Sequence, residues 1–157
     1  MKTTKQVIEN SGIDPTLVRA VVRQLGDKTY LEDVHNHGAD AGYSGFTYYS
    51  DTVKFFKAHR KAITALVESM ANDLGESPVD MVAGFQCLGG REIQKAVNEN
   101  RFREHLHESA KQKVINEYAP SVSRCLYGGR LTDEDTTVAN ALAWFALEEV
   151  ARAFCDE

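Results

Sequence analysis

The run Val138 to Leu147, VANALAWFAL, is apolar on every side of a helix except at Asn140. A helix without a polar face has no side to leave in water, so this segment is predicted to be the central element of a core, or half of a homodimer interface. Its start is marked as well. Thr132 is followed three residues later by Asp135, an acidic form of the capping box, and Asp133 and Glu134 put negative charge where a helix N-terminus favours it. Trp144 and Phe145 are expected inside. Whatever covers this helix must itself present apolar stripes.

The rest of the chain supplies such stripes, all at helical spacing. Thr3 to Asn10 reads as a short helix stopped by Ser11-Gly12. Asp14 then caps and Pro15 opens a helix whose Leu17, Val18, Val21, Val22 and Leu25 share a face before Gly26 closes it. Asp27 can cap a third helix through Val34, with Tyr30, Leu31 and Val34 inward. Ser50 and Asp51 can cap a long helix in which Val53, Phe56, Arg60, Ile63, Val67, Met70 and Leu74 repeat at three and four, leaving Lys54, Lys57 and Lys61 in solvent. Gly75 ends it. Ser77, Pro78 and Asp80 start the next, lined by Met81, Val82, Phe85 and Leu88 up to Gly89-Gly90. From Glu92 to Tyr118 the stripe changes phase around Asn98 to Asn100, which predicts a kink or break there, and Pro120 is expected to end the segment. No alternating run suggests a strand. The expected fold is all-α, a compact bundle of about six to seven helices with a buried C-terminal helix. It would form a single domain over residues 1–157 with a short helical pair, 3–26, packed on it.

The composition narrows the classes open to such a fold. At 157 residues the chain can bury one substantial core. The longest unbroken apolar run, Ala141 to Leu147, is far too short to span a bilayer, so no membrane association is expected. The start, MKTTKQVIENSG, has no apolar signal core, and the expected location is the cytoplasm. Cys87, Cys125 and Cys155 lie far apart without metal spacing and are expected to be buried free thiols. The net charge of −5 is unevenly laid out. Acids crowd Leu131 to Glu157, and bases gather at Lys54, Lys57, His59, Arg60 and Lys61, patterns that most simply describe solvated faces.

The most unusual stretch is His37 to Phe56, HGADAGYSGFTYYSDTVKFF, which puts three glycines and six aromatics into twenty residues. Such a loop either holds an irregular backbone path against a core or presents a binding surface. Tyr43 and Tyr48 are read as an exposed binding face, Phe46 and Tyr49 as packing inward near the helix start, and Tyr43, Phe46, Tyr48, Tyr49 and Asp51 together as the candidate partner-binding set. Gly38, Gly42 and Gly45 leave room for positive φ or close backbone approach.

The run HG-x3-G…YYSDT-x2-FF, carried by His37, Gly38, Gly42, Tyr48, Tyr49, Ser50, Asp51, Thr52, Phe55 and Phe56, resembles a family of small, mostly uncharacterised proteins of phages, prophages and conjugative elements. The resemblance covers about forty residues. The family tends to carry Cys and Ser where this chain has Ala39 and Ala41. What the resemblance implies is an origin in a mobile element, not a reaction.

The residues do not assemble an enzyme motif. His35 and His37 with Asp40 lack the spacing of a metal site. Gly42-Tyr43-Ser44-Gly45 is one residue short of a nucleophile elbow and has no strand before it. Gly-Gly-Arg at Gly89 to Arg91 and at Gly128 to Arg130 offers amides and an arginine for an anion, but helix C-caps account for the same glycines. His59, His105 and His107 are expected in solvent. No catalytic residue, metal or cofactor is therefore assigned. Two functional classes remain. The first is an accessory protein of a phage or mobile element that binds a host or phage protein, as an inhibitor of a defence or regulatory complex. The second is a nucleic-acid-binding regulator. For the latter, TKQVIENSGIDPTLVRAVV resembles a helix-turn-helix with Gly12 at the turn and Arg19 and Arg23 facing outward, although Ile8 stands where that motif wants a small residue. Overall acidity disfavours nucleic acid, since duplex affinity is dominated by phosphate neutralisation.

Overall fold

The computed structural model describes residues 1–26, 28–41, 49–99 and 104–156. Among them all regular structure is helical, as expected, in eight α-helices and without a strand. These are α1 (Thr4–Ser11), α2 (Pro15–Leu25), α3 (Lys28–His37), α4 (Tyr49–Leu74), α5 (Pro78–Ala83), α6 (Arg91–Glu99), α7 (Glu104–Tyr127) and α8 (Thr136–Cys155). The described chain groups into two compact units. One contains Met1–Leu66 with Leu142–Glu157, the other Val67–Ala141, so the division falls within α4 and within α8.

In the first unit α1 packs on α2 and α2 on α3. Thr3 and Gln6 form a reciprocal capping box on α1, and the Asp14 carboxylate accepts the Thr16 N–H at 2.8 Å to cap α2. Leu17, Val18, Val21 and Leu25 are buried, whereas Val22 is only half-buried. The third helix runs to His37, three residues past the expected end, with Leu31 and Val34 buried and Tyr30 half-buried. Asp27, its expected cap, lies outside the described residues. The N-terminus is tied to the end of α8 by a Lys2 N–H bond to the Phe154 carbonyl at 3.0 Å.

The fourth helix departs from the expected pattern in three ways. It begins at Tyr49, so Ser50 and Asp51 occupy its first turn and do not cap it. It breaks at His59, whose φ of −122° and ψ of 19° are not helical. Its last apolar position, Leu74, is 62% exposed. The buried residues are Thr52, Val53, Phe55 and Phe56 before the break and Ile63, Thr64, Val67 and Ala71 after it. Lys54, Lys57 and Lys61 are exposed as expected.

The second unit is arranged around α7, against which α5 and α6 pack. Ser77 Oγ accepts the Asp80 N–H at 3.2 Å and Pro78 stands in the first turn, so α5 starts where expected. It ends early, at Ala83, and a π-turn (Gln86–Gly90) leads into α6. The glycines of the first Gly-Gly-Arg therefore do not cap a helix. The N–H groups of Gly89 and Gly90 both reach the Phe85 carbonyl, and a Cβ on Gly89 would strike the Val114 side chain of α7, so only glycine allows the π-turn to approach that helix. In the second Gly-Gly-Arg, the Gly128 N–H bonds to Arg124 O at 2.9 Å and closes α7, as a C-cap does. The phase change near Asn100 falls between α6 and α7, with residues 100–103 outside the described set.

Pro120 does not end α7, which continues through it to Tyr127. A proline inside a helix costs roughly 3 kcal/mol. The turns beyond it offset that cost, because Val122, Cys125 and Leu126 are buried and Ser121 and Arg124 both reach Asp135. The Asp135 carboxylate is fully buried. It accepts the Ser121 hydroxyl at 2.7 Å, Arg124 Nε at 3.0 Å, a terminal Arg124 nitrogen at 2.9 Å and the Thr132 N–H at 2.8 Å. Burial alone would push its pKa up, but these donors, Arg124 first, hold it well below the usual carboxylate range. The capping box read from Thr132 and Asp135 is thus present, on a 3₁₀ turn (Asp133–Asp135) that packs on α7 and leads into α8.

Along α8, Val138, Ala139, Ala141, Leu142, Ala143, Phe145, Ala146 and Leu147 are buried, whereas Trp144 is half-buried. The large indole stays partly at the surface while the small alanines around it are covered. Of the cysteines only Cys125 is buried; Cys87 is exposed and Cys155 half-buried, because the π-turn and the end of α8 lie nearer the surface.

Two outcomes follow in urea unfolding. Leu142→Ala removes a side chain with no exposure and is expected to cost about 2 to 5 kcal/mol. Asp135→Asn is expected to cost about 1.5 to 3 kcal/mol through its weakened charge-assisted bonds. The Asp135 carboxyl titrates lower folded than unfolded, so its contribution is present above the ordinary value of 3.8 and is lost as the pH falls below it. The asparagine variant should therefore lose less stability on acidification.

Candidate functional site

The glycine-aromatic stretch is described at its two ends. On the entering side, α3 finishes with His35 and His37 exposed, His37 Nε2 standing 3.9 Å from Asp33 Oδ1 one turn earlier. A 3₁₀ turn (Gly38–Asp40) follows, closed by the Ala41 N–H on the Gly38 carbonyl at 3.0 Å. Gly38 has a φ of +56°, a left-handed conformation that side chains disfavour, so the expectation of positive φ holds there.

The turn is held from α8. The Glu148 carboxylate accepts the Ala39 N–H, and a Cβ on Gly38 would lie 2.5 Å from Glu148 Oε1. Glu148 is exposed as a residue, but its carboxyl end is turned against the backbone of the turn. Burial of that end, and then the neighbouring Glu149, push its pKa up, against a downward pull from the Ala39 N–H. Glu149 itself pairs with Arg152.

On the leaving side, α4 starts at Tyr49 and carries Asp51 in its first turn, half-buried, where its charge complements the helix dipole. Phe55 and Phe56 are 7% and 0% exposed and belong to the core, as do Thr52 and Val53.

The other candidates fall as follows. Tyr43, Phe46 and Tyr48, with Gly42 and Gly45, lie outside the described residues, and of Tyr49 only the backbone is described. Arg19 and Arg23 are exposed one turn apart on α2, as a helix-turn-helix reading requires, with Val18 and Val21 buried behind them and Ile8 half-buried. His105 is exposed, but His59 and His107 are half-buried, which corrects their assignment to solvent. The His59 ring packs against Phe55 at a centroid distance of 4.7 Å. Among the described residues no three His, Cys, Asp or Glu side chains are grouped to hold a metal, and no helix is long and apolar enough to cross a membrane. Glu148 is the residue that sequence reasoning missed. It follows the apolar run of α8 as an ordinary polar boundary, and only the tertiary approach of the Gly38 turn gives it a role.

The fold and this site define an all-helical protein in which Glu148 of α8 holds the Gly38–Asp40 turn that follows α3. Residues 18–157 match the family model described as a domain of unknown function, DUF7222, and the chain belongs to that family. No curated protein and no solved structure matches it.

Gly38→Val is expected to destabilise the protein by about 1 to 3 kcal/mol in chemical denaturation, because a β-branched residue is strained at this φ. Glu148→Ala in the same background should relieve only the steric part, leaving most of the loss.

Proposed function

We propose that this is a non-enzymatic accessory protein that acts by binding another protein through the stretch Gly38–Asp51, with Tyr43, Phe46, Tyr48, Tyr49 and Asp51 as its contact residues. The observation that carries this reading is the fixing of both ends of the stretch, by Glu148 on the Gly38 turn and by the burial of Thr52, Val53, Phe55 and Phe56 behind Tyr49. Fixed ends lower the ordering entropy that a recognition loop must lose on binding. Tyrosines offer contact area and a hydroxyl for few rotatable bonds. The motif's resemblance to phage and prophage proteins supports a mobile-element origin and a cytoplasmic target in the bacterial host, a defence or regulatory complex that the protein inhibits.

A second reading, a nucleic-acid-binding regulator, draws on the exposed pair Arg19 and Arg23 on α2. The net charge of −5 weighs against it. If it held, Arg19→Ala and Arg23→Ala would each flatten the salt dependence of duplex binding by about one unit.

Alanine substitutions test the first reading. Tyr43→Ala and Tyr48→Ala are expected to leave the melting temperature within about 2 to 4 °C of the parent, the shift of a 1 kcal/mol loss at this chain length, while abolishing recovery of a stoichiometric protein partner from host lysate. Phe46→Ala should lower the melting temperature further. Equal destabilisation by all three substitutions would make the stretch structural, and a sequence-specific duplex shift at physiological salt would reverse the order of the two readings.

A further inference from the structure

Lys5, Lys28 and Lys95 each pair with a glutamate four residues on, Glu9, Glu32 and Glu99 in turn. The cations of α2 and α4 are placed differently. Arg19 and Arg23 on α2 and Lys54, Lys57 and Lys61 on α4 are exposed, and among the described residues none of these side chains forms an ion pair. Instead, the residue four places on from Arg19 is Arg23 and from Lys57 is Lys61, like charges one turn apart, which destabilise a helix mildly. This occurs in a chain whose acids outnumber its bases, with a net charge of −5. The two helices adjoin at this place. Burial first, and then the Arg23 guanidinium, hold the pKa of His59 below its ordinary value, so the end of α2 stands beside α4 at a residue between Lys57 and Lys61.

We propose that the exposed sides of α2 and α4 form one docking face for an acidic helix of a partner protein, whose carboxylates, one turn apart, meet Arg19 and Arg23 of α2 and the lysine stripe of α4. Four residues of helix rise about 6 Å, so cations at i and i+4 on this chain match carboxylates at i and i+4 on another. The repulsion along α2 and α4 is relieved when opposite charge is brought to them from outside, and the free chain supplies none. A nucleic acid fits the face less well. A duplex carries a charge about every 1.7 Å of its axis, and its phosphates would run against the Asp14 carboxylate, which stands near the same His59 ring, and against the net negative charge of the chain. An acidic helix carries its charge only where its sequence puts it. The face lies apart from the stretch Gly38–Asp51 and stands whether or not that stretch binds a partner.

Fluorescence anisotropy on the full chain tests the face with three labelled probes at physiological salt: a helical peptide bearing glutamates at i and i+4, the same peptide with glutamines in their place, and a DNA duplex. The glutamate peptide is expected to bind at least about tenfold more tightly than the glutamine peptide and than the duplex, the sum of several exposed ion pairs. Arg19→Ala and Lys61→Ala should each weaken it about twofold to fivefold, the range of one such pair, and Arg19→Glu with Arg23→Glu should abolish it. Lys95→Ala, which removes a lysine already paired with Glu99, should leave it unchanged. Because Arg19→Ala and Lys61→Ala each remove a like-charged neighbour and introduce a good helix former, their melting temperatures should stay at or above that of the parent, so a loss of binding cannot come from unfolding. Equal binding of the two peptides, an equal loss from Lys95→Ala, or tighter binding of the duplex would overturn the proposal.

Discussion

Removing the all-round apolar surface of α8 from water is the constraint on which the rest of the structure depends. A helix with one greasy stripe can lie on a surface, but Val138 to Leu147 has no orientation in which its side chains avoid water unless chain covers every side. Seven of the buried positions in that run have at most 1% exposure, so the cover over them is complete. The residues it leaves half out are Asn140 and Trp144, whose polar nitrogens suit a partly wet position. The other helices contribute single stripes, as elements do that need to bury only one side.

Entry into α8 is controlled by a polar arrangement. A buried carboxylate is costly unless its oxygens are satisfied, and the Asp135 side chain has donors from Ser121, Arg124 and Thr132. Two of those donors lie beyond Pro120, so the same bonds that make Asp135 tolerable hold the last turns of α7 in helical form. Removal of water from α8 and retention of a proline-containing helix are thus linked through one side chain.

Much of this was legible in the sequence because it is written in local chemistry. The cap at Asp14, the proline at position 78 after Ser77, and the box from Thr132 to Asp135 each act over three or four residues, and each is found in place. What the sequence did not show depends on contacts between distant residues. Pro120 looks like a stop until Asp135 is brought to Ser121 and Arg124. Gly89 looks like a cap until Val114 approaches it, and the regular spacing through His59 gives no sign of the break found there. The candidate site divides along the same line. The motif located the stretch and its two ends, Phe55 and Phe56 among them, but Glu148 stands more than a hundred residues away and has no local signal.

The division of the chain into units also bears on how the protein is made. Val67 to Ala141 is contiguous, so all of its residues are present before Leu142 is synthesised. The other unit is not, for it joins Met1–Leu66 to Leu142–Glu157 and includes the bond from Lys2 to Phe154. During vectorial synthesis at about 5 to 20 residues per second, its early helices wait several seconds, with their apolar faces uncovered, for the segment that completes them. The nascent chain thus has an interval in which α1 to α3 are natural clients for a ribosome-associated chaperone, and a ribosome stalled before Leu142 would hold them in that state.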